Sequence, residues 1–129
     1  MKHATPETDF ENNLAKVAPL CSCRYVKIKD TRSINAGNRK THREVQRPCD
    51  ALISTPKWNW FIECKIGYAK LKPHQAKLRD DIYETNGRFV VLRKIFLKGG
   101  IKYRIETRDG TWETDDLRYI FKVLNEEIE

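Results

Sequence analysis

Two short stretches of sequence decide the fold: Cys49-Asp50-Ala51-Leu52-Ile53 and Phe61-Ile62-Glu63-Cys64-Lys65. Each is a short, mainly apolar run, which is typical of a buried strand. The residues Thr55-Pro56-Lys57 between them mark a turn. The two strands are therefore predicted to form a hairpin, in which Asp50 near the start of one strand lies beside Glu63 near the end of the other.

The side chains of Glu63 and Lys65 are expected on the same face of their strand, because residues two apart share a face, while Cys64 points to the other. Burying a carboxylate and an ammonium group is costly unless they are paired or bind a cation. Two carboxylates with open coordination positions suit Mg²⁺, which keeps part of its water shell and accepts phosphate oxygens. The backbone carbonyl of Cys64 is a further candidate ligand.

A lysine beside such a cation can orient or deprotonate an attacking water. The pattern therefore indicates metal-assisted hydrolysis of a phosphodiester bond. The alternative is a structural ladder of salt bridges among Asp50, Glu63 and Lys65, which would contribute little to stability.

The rest of the chain is predicted to form alternating helices and strands around this hairpin. Helices are expected from Thr5 or Thr8 to Pro19, from Pro73 to Asn86, and from Thr114 to about residue 127. Strands are expected at 24–29, 49–54, 58–66, 88–96 and 101–107. This order, α-β-β-β-α-β-β-α, predicts one α/β (α+β) domain over 1–129, with a central mixed five-stranded sheet flanked by helices and an acidic helical region at 107–129.

The chain is basic, with 25 Lys and Arg against 18 Asp and Glu in 129 residues and a formal net charge of +7. The stretch from Asp30 to Pro48 has no apolar period and is predicted to be a mobile basic loop that becomes ordered on a phosphate backbone. Seven basic residues are predicted to contact DNA: Arg32, Arg39, Lys40, Arg43, Arg47, Lys70 and Lys72.

The composition also excludes several classes of protein. No apolar run is long enough to span a membrane, and the N-terminal residues lack the apolar stretch of a secretory signal. We therefore expect a cytoplasmic protein, with a virus-encoded (phage) origin as the alternative to a cellular one. The four cysteines are expected to be free thiols, because nothing in the sequence suggests export to an oxidising compartment. The alternative is a zinc site, but Cys21-x-Cys23 is too tight for the usual half-site.

The stretches Arg47–Ile53 and Phe61–Lys65 resemble the PD-(D/E)xK nuclease superfamily, although Cys49 stands where the family motif has proline. Within that superfamily, Leu71–Ala76 followed by Asn86–Arg93 is similar to VRR-NUC domains and archaeal-type Holliday junction resolvases. The resemblance extends from about Phe10 to Arg93. The segment after Phe96 matches no pattern of the family.

The resemblance implies a role for each matching residue. Asp50 and Glu63 would bind the divalent metal, Mg²⁺ with Mn²⁺ as a substitute, and Lys65 would act on the nucleophilic water. An acidic residue on the first helix would complete the site, with Glu11 the better fit. Glu7 is the alternative. Gln75 matches a glutamine near the active site, or is an ordinary solvent-exposed helix residue.

The resemblance further implies a metal-dependent, structure-selective DNA endonuclease, with the Holliday (four-way) junction as the expected substrate. Two symmetric cuts in such a junction call for a homodimer. Two alternatives stay open: a sequence-specific restriction or homing nuclease, which would read base edges in the major groove, and a catalytically silent DNA-binding protein on the same scaffold.

Four other side chains have competing interpretations. Trp58 and Trp60 either stack on a base, form a dimer interface or, as is more common, pack against a helix. His42 and His74 either contact metal or phosphate or have no functional role.

Overall fold

A computed structural model describes residues 5–28 and 49–126 of the chain. The predicted basic loop from Asp30 to Pro48 lies entirely outside these residues, together with five of the predicted DNA contacts and His42. Those five contacts are Arg32, Arg39, Lys40, Arg43 and Arg47.

The described residues form three α-helices, one 3₁₀ helix and six strands. The helices are α1 (Pro6–Val17), the 3₁₀ helix (Ala18–Cys21), α2 (Pro73–Glu84) and α3 (Leu117–Leu124). The strands are β1 (Arg24–Lys27), β2 (Ala51–Ser54), β3 (Asn59–Ile66), β4 (Phe89–Leu97), β5 (Gly100–Thr107) and β6 (Gly110–Thr114).

Each α-helix begins where local chemistry satisfies its first free N–H groups. The Thr5 hydroxyl accepts a hydrogen bond from the N–H of Thr8 at 3.1 Å, with proline at the first position of α1. Asp116 accepts from the N–H of Arg118 at 3.0 Å at the start of α3. Pro73 opens α2, because a proline at the first helical position lacks only an N–H that would be unpaired anyway.

The strands form one mixed sheet in the order β1-β2-β3-β4-β5-β6. Neighbouring strands are antiparallel except β3 and β4, which are parallel and joined through α2. A mixed sheet flanked by helices was the predicted fold class, and it is confirmed.

The predicted count of five strands is wrong for the described residues, because β6 adds a sixth. Trp112 of β6 pairs with Ile105 of β5. The tight hairpin at Arg108-Asp109-Gly110 sends the chain back along β5 before α3 begins. The Asp-Gly dipeptide is a strong hairpin signal, but the strand after it is only five residues long and half-exposed. The segment at 107–129 is therefore part strand rather than only an acidic helical region.

The two faces of the sheet carry different cores. The larger core lies under α1 and α3 and includes Phe10, Ile62, Cys64 and Phe121. The smaller core lies under α2, around Ile82, Phe89 and Val91, with Phe61 packed against it. Since strand residues alternate between faces, Glu63 and Lys65 share the α2 face with Phe61. No helix in the described part of the chain is both long enough and apolar enough to cross a membrane.

Candidate active site

Asp50 is fixed at the start of the β2–β3 hairpin by backbone hydrogen bonds. Its N–H donates to the carbonyl of Ile62 at 3.1 Å, and its Oδ2 accepts from the N–H of Cys64 at 2.8 Å. The residue is buried. The register of the hairpin thus holds the Asp50 carboxylate against the strand segment that carries Glu63, as the spacing predicts.

Gln75 connects the two charged side chains of β3. Its amide nitrogen donates to Oε1 of Glu63 at 2.8 Å, and its Oε1 accepts from Nζ of Lys65 at 2.9 Å. The same oxygen accepts from the N–H of Lys72, the residue before α2, at 2.8 Å. All three side chains are buried. Gln75 is therefore part of the site and not an exposed helix residue.

Glu63 has one carboxylate oxygen that the protein does not satisfy. Oε2 is buried and has no hydrogen-bond partner among the described residues. Burial raises the pKa of Glu63 to about 8; repulsion by the neighbouring Asp50 carboxylate adds to the shift, and the Lys65 ammonium opposes it. A buried oxygen without a donor is costly, and a cation would relieve that cost.

Three other carboxylate oxygens form a cluster, and two of their residues, Asp50 and Glu7, are near enough to Glu63 to raise its pKa. Glu7 and Glu11 of α1 and Asp50 each place one oxygen within 4.8 Å of the others. The two glutamates lie one turn apart, so they face the same way along the helix. Both acidic residues considered for the first helix thus lie in one cluster with Asp50.

Glu11 is held by two partners from β1. The hydroxyl of Tyr25 donates to its Oε1 at 2.6 Å, and Nζ of Lys27 lies 3.1 Å from its Oε2. Burial raises the pKa of Tyr25, and the nearby Cys64 and Glu11 add to this, so its hydroxyl keeps the proton that it donates. The Glu11 side chain is only 4 % exposed, whereas Lys27 is 48 % exposed. Tyr25 therefore orients the carboxylate, while Lys27 partly neutralises its charge.

The donor set fits a hard divalent cation. Carboxylate oxygens suit Mg²⁺, Ca²⁺ or Mn²⁺, whereas zinc sites favour sulfur and nitrogen donors. The cluster that the described residues form contains no cysteine, and none of the four cysteines is in a disulfide. Cys64 points its thiol into the larger core, as predicted. Its carbonyl stays a predicted ligand.

A buried arginine that the sequence analysis missed lies next to Lys65. Arg93 of β4 is opposite Lys65 in the register. Its Nη1 donates to the carbonyls of Gly67 at 3.2 Å and Ala69 at 2.5 Å, and its Nε pairs with Glu106 at 3.0 Å. A single arginine in the middle of the apolar strand Phe89–Leu97 was the signal that could have identified it.

Five other residues with a predicted role lie in the described ranges. Lys70, Lys72 and His74 are exposed near the start of α2. Trp60 packs in the larger core and donates its indole N–H to the carbonyl of Leu124 at 2.8 Å, the ordinary packing role. Trp58 is partly exposed, with the guanidinium of Arg88 3.5 Å from its ring centre.

Comparison with known proteins identifies the fold. No protein-family model matches the chain, and no curated protein matches it by sequence. Among solved structures it is similar to Archaeoglobus fulgidus Hjc, described at 1.6 Å resolution as a Holliday junction resolvase from an archaeal hyperthermophile. The match has a TM-score of 0.54 at 15% identity and covers 94% of this chain and 100% of the other. The chain therefore has the fold of this archaeal resolvase.

Proposed function

We propose that the chain is a divalent-metal-dependent DNA endonuclease that cleaves branched DNA, with the four-way junction as its principal substrate. One observation supports this most: a buried lysine, Lys65, is linked through Gln75 to Glu63, and the charges of Asp50 and Glu7, two members of the acidic cluster, act on Glu63. Such a combination of oxygen ligands and a positioned cationic side chain is suited to phosphodiester hydrolysis.

Asp50, Glu63 and Glu11 would hold the cation, with Glu7 as an additional oxygen donor. A bound cation would supply positive charge to a phosphate oxygen and to a water molecule. Mg²⁺ is the expected ion, since it keeps open positions for water and phosphate, and Mn²⁺ is expected to substitute.

Lys65 would act on the attacking water. The hydrogen bond from its Nζ to Oε1 of Gln75 fixes the ammonium group at the end of β3. From there it would orient the water and stabilise the extra negative charge of the five-coordinate phosphorus. Gln75 lies between Lys65 and Glu63, so it holds both side chains in position at once.

The choice of branched DNA is supported by the likeness of fold to a resolvase and by the basic net charge of the chain. Lys70 and Lys72 would contact the phosphate backbone next to the site, and residues 30–48 would add the predicted basic contacts. A homodimer is expected, since a two-fold axis pairs two active sites across a symmetric junction.

The test compares cleavage of a labelled four-way junction with cleavage of a linear duplex of the same sequence, in Mg²⁺, Mn²⁺ or EDTA. Paired symmetric cuts in the junction alone, abolished by EDTA, are expected. The variants Glu63→Gln and Lys65→Met should each lower the rate by about 100-fold or more. The matched control is Lys77→Met, an exposed lysine on α2 paired with Asp81.

Three other results would change the proposal. Equal cutting of the duplex and the junction would support the nuclease activity but contradict the preference for branched DNA. Cutting at one duplex sequence would support the sequence-specific nuclease. Binding of the junction without cleavage in any metal would support the silent DNA-binding protein. Light scattering of the same samples tests the dimer.

A further inference from the structure

The connection between β3 and α2, residues 67–72, is held rigidly although it lies at the surface. Gly67 adopts a left-handed backbone conformation at φ +63°, and its N–H donates to the carbonyl of Lys94 at 2.8 Å. Arg93 donates to the carbonyls of Gly67 and Ala69, one on each side of Tyr68. The Arg93 side chain is only 10 % exposed and is ion-paired with Glu106.

This rigid segment presents an aromatic ring to solvent. Tyr68 is 60 % exposed. The guanidinium carbon of Arg104 lies 5.9 Å from the centre of its ring, and Arg104 is itself paired with Glu106 at 3.0 Å. Lys70 and Lys72, which follow in the same connection, are exposed. The surface thus combines one exposed aromatic ring, on a backbone held by hydrogen bonds, with Arg104 beside the ring and two exposed lysines further along the same connection.

The aromatic surface lies on the same face of the sheet as the candidate active site. Lys65 of β3 is opposite Arg93 of β4, and Arg93 is opposite Arg104 of β5. Directly paired residues share a face, so the three side chains form a row across adjacent strands. Two strand spacings correspond to about 10 Å. A DNA strand with its phosphate at Lys65 would therefore pass close to Tyr68.

An exposed aromatic ring beside cations is suited to stacking on a nucleobase. Bases inside a continuous duplex are stacked on each other, so a side chain can stack only on a base that is unpaired or displaced. Because its backbone is already fixed, Tyr68 would lose little conformational entropy on binding.

We propose that Tyr68 and Arg104 bind an unstacked nucleotide next to the cleaved phosphate, and that this contact gives the protein its preference for interrupted duplexes. The inference rests on the proposed nuclease function and names the part of the surface that recognises the branch.

The test measures DNA binding without divalent ions, in the Glu63→Gln protein, so that no cleavage occurs. Three DNAs of equal length are compared: a linear duplex, a duplex with a three-nucleotide bulge, and a four-way junction. We expect Tyr68→Ala and Tyr68→Leu to reduce the preference for bulged and branched DNA over the linear duplex by about 5- to 150-fold, the range that base stacking contributes. Tyr68→Phe keeps the ring and should keep the preference.

Phe96→Ala is the matched control. Phe96 is 55 % exposed and has a cation, Nζ of Lys94, 5.4 Å from its ring centre. Ile95 is two positions after Arg93 and shares its face of the sheet. Phe96 is the next residue and therefore lies on the face opposite to Arg93 and Tyr68. This variant should leave the preference unchanged.

Two results would overturn the inference. The first is that Tyr68→Ala leaves the affinities for the linear duplex, the bulged duplex and the junction unchanged, or lowers all three by the same factor. The second is a change from dimer to monomer in light scattering, which would assign Tyr68 to a subunit interface. The proposed nuclease function fails separately, through absence of metal-dependent cleavage by the wild-type protein, whereas this binding assay needs no metal.

Discussion

Gln75 donates its amide N–H to Oε1 of Glu63 at 2.8 Å, so a residue of α2 fixes a carboxylate of β3. Its own carbonyl oxygen accepts from Lys65 and from the backbone of Lys72. One neutral side chain therefore sets the relative positions of a candidate metal ligand and a candidate catalytic cation. This arrangement makes α2 a part of the site.

Replacing Gln75 with alanine should lower kcat by about 10- to 100-fold, since a residue that orients a metal ligand typically contributes that much. KM should change less, because no DNA contact is removed. Steady-state cleavage kinetics measure both constants. The control is Arg79→Ala, a partly exposed residue of the same helix paired with Asp80. Equal loss in both variants would point to general damage to α2.

The pKa of Glu63 predicts an unusual pH dependence of stability without divalent ions. Because this pKa rises from 4.5 to about 8 on folding, the folded state keeps a proton that the unfolded state has lost between these pH values. Stability should therefore fall as pH increases through this window. Glu63→Gln has no such titration, so its Tm relative to the wild-type value should increase from pH 5 to about pH 8 and then stay constant. If the plots of Tm against pH for the wild-type and Glu63→Gln proteins ran parallel, the raised pKa of Glu63 would be contradicted.

Removing the Tyr25 hydroxyl should weaken metal binding. Tyr25→Phe loses the 2.6 Å hydrogen bond that orients Glu11, and loss of such a contact typically lowers metal affinity by about 10- to 100-fold. The Mn²⁺ concentration needed for half-maximal cleavage should increase accordingly. Tyr119→Phe on α3 is the control. An unchanged Mn²⁺ requirement in Tyr25→Phe would show that the hydrogen bond from Tyr25 to Glu11 does not contribute to metal binding.

Divalent ions should raise the Tm of the wild-type protein, because a ligand that binds only the folded state stabilises it. The increase should depend on ion concentration and disappear in Asp50→Asn, which removes a buried carboxylate of the cluster. Asp81→Asn, an exposed position on α2, should keep the response. The same shift with and without Asp50 would place the ion elsewhere.

Arg93→Met should lower kcat while preserving the Mn²⁺ requirement. The substitution removes the hydrogen bonds that fix residues 67–69 between Lys65 and α2, but it leaves the acidic cluster untouched. We expect a reduction of about 10-fold or more, with thermal unfolding measured in parallel. Arg88→Met is the matched control, since Arg88 precedes the same strand and pairs with Glu126. If the Mn²⁺ requirement changed as much as kcat, the role of Arg93 would be structural.

The sequence by itself determined the local features of this protein. Hydrophobic alternation predicted that Glu63 and Lys65 share one face of a strand and that Cys64 lies in the core on the other. The Thr55-Pro56-Lys57 turn predicted the hairpin that carries Asp50 next to them. These features depend on residues close together in the chain, where the period of strand or helix decides which way a side chain points.

Only the tertiary structure decided which distant residues complete the site. Glu7 and Glu11 were alternatives in the sequence, yet α1 crosses the sheet so that both reach Asp50. No motif gave Tyr25 or Arg93 a role in the site, and their contacts follow from the order of strands in the sheet. Side-chain period describes the direction of a residue along its own element. This period does not tell which other helix or strand the side chain will meet, because the packing of the whole chain decides which elements are neighbours.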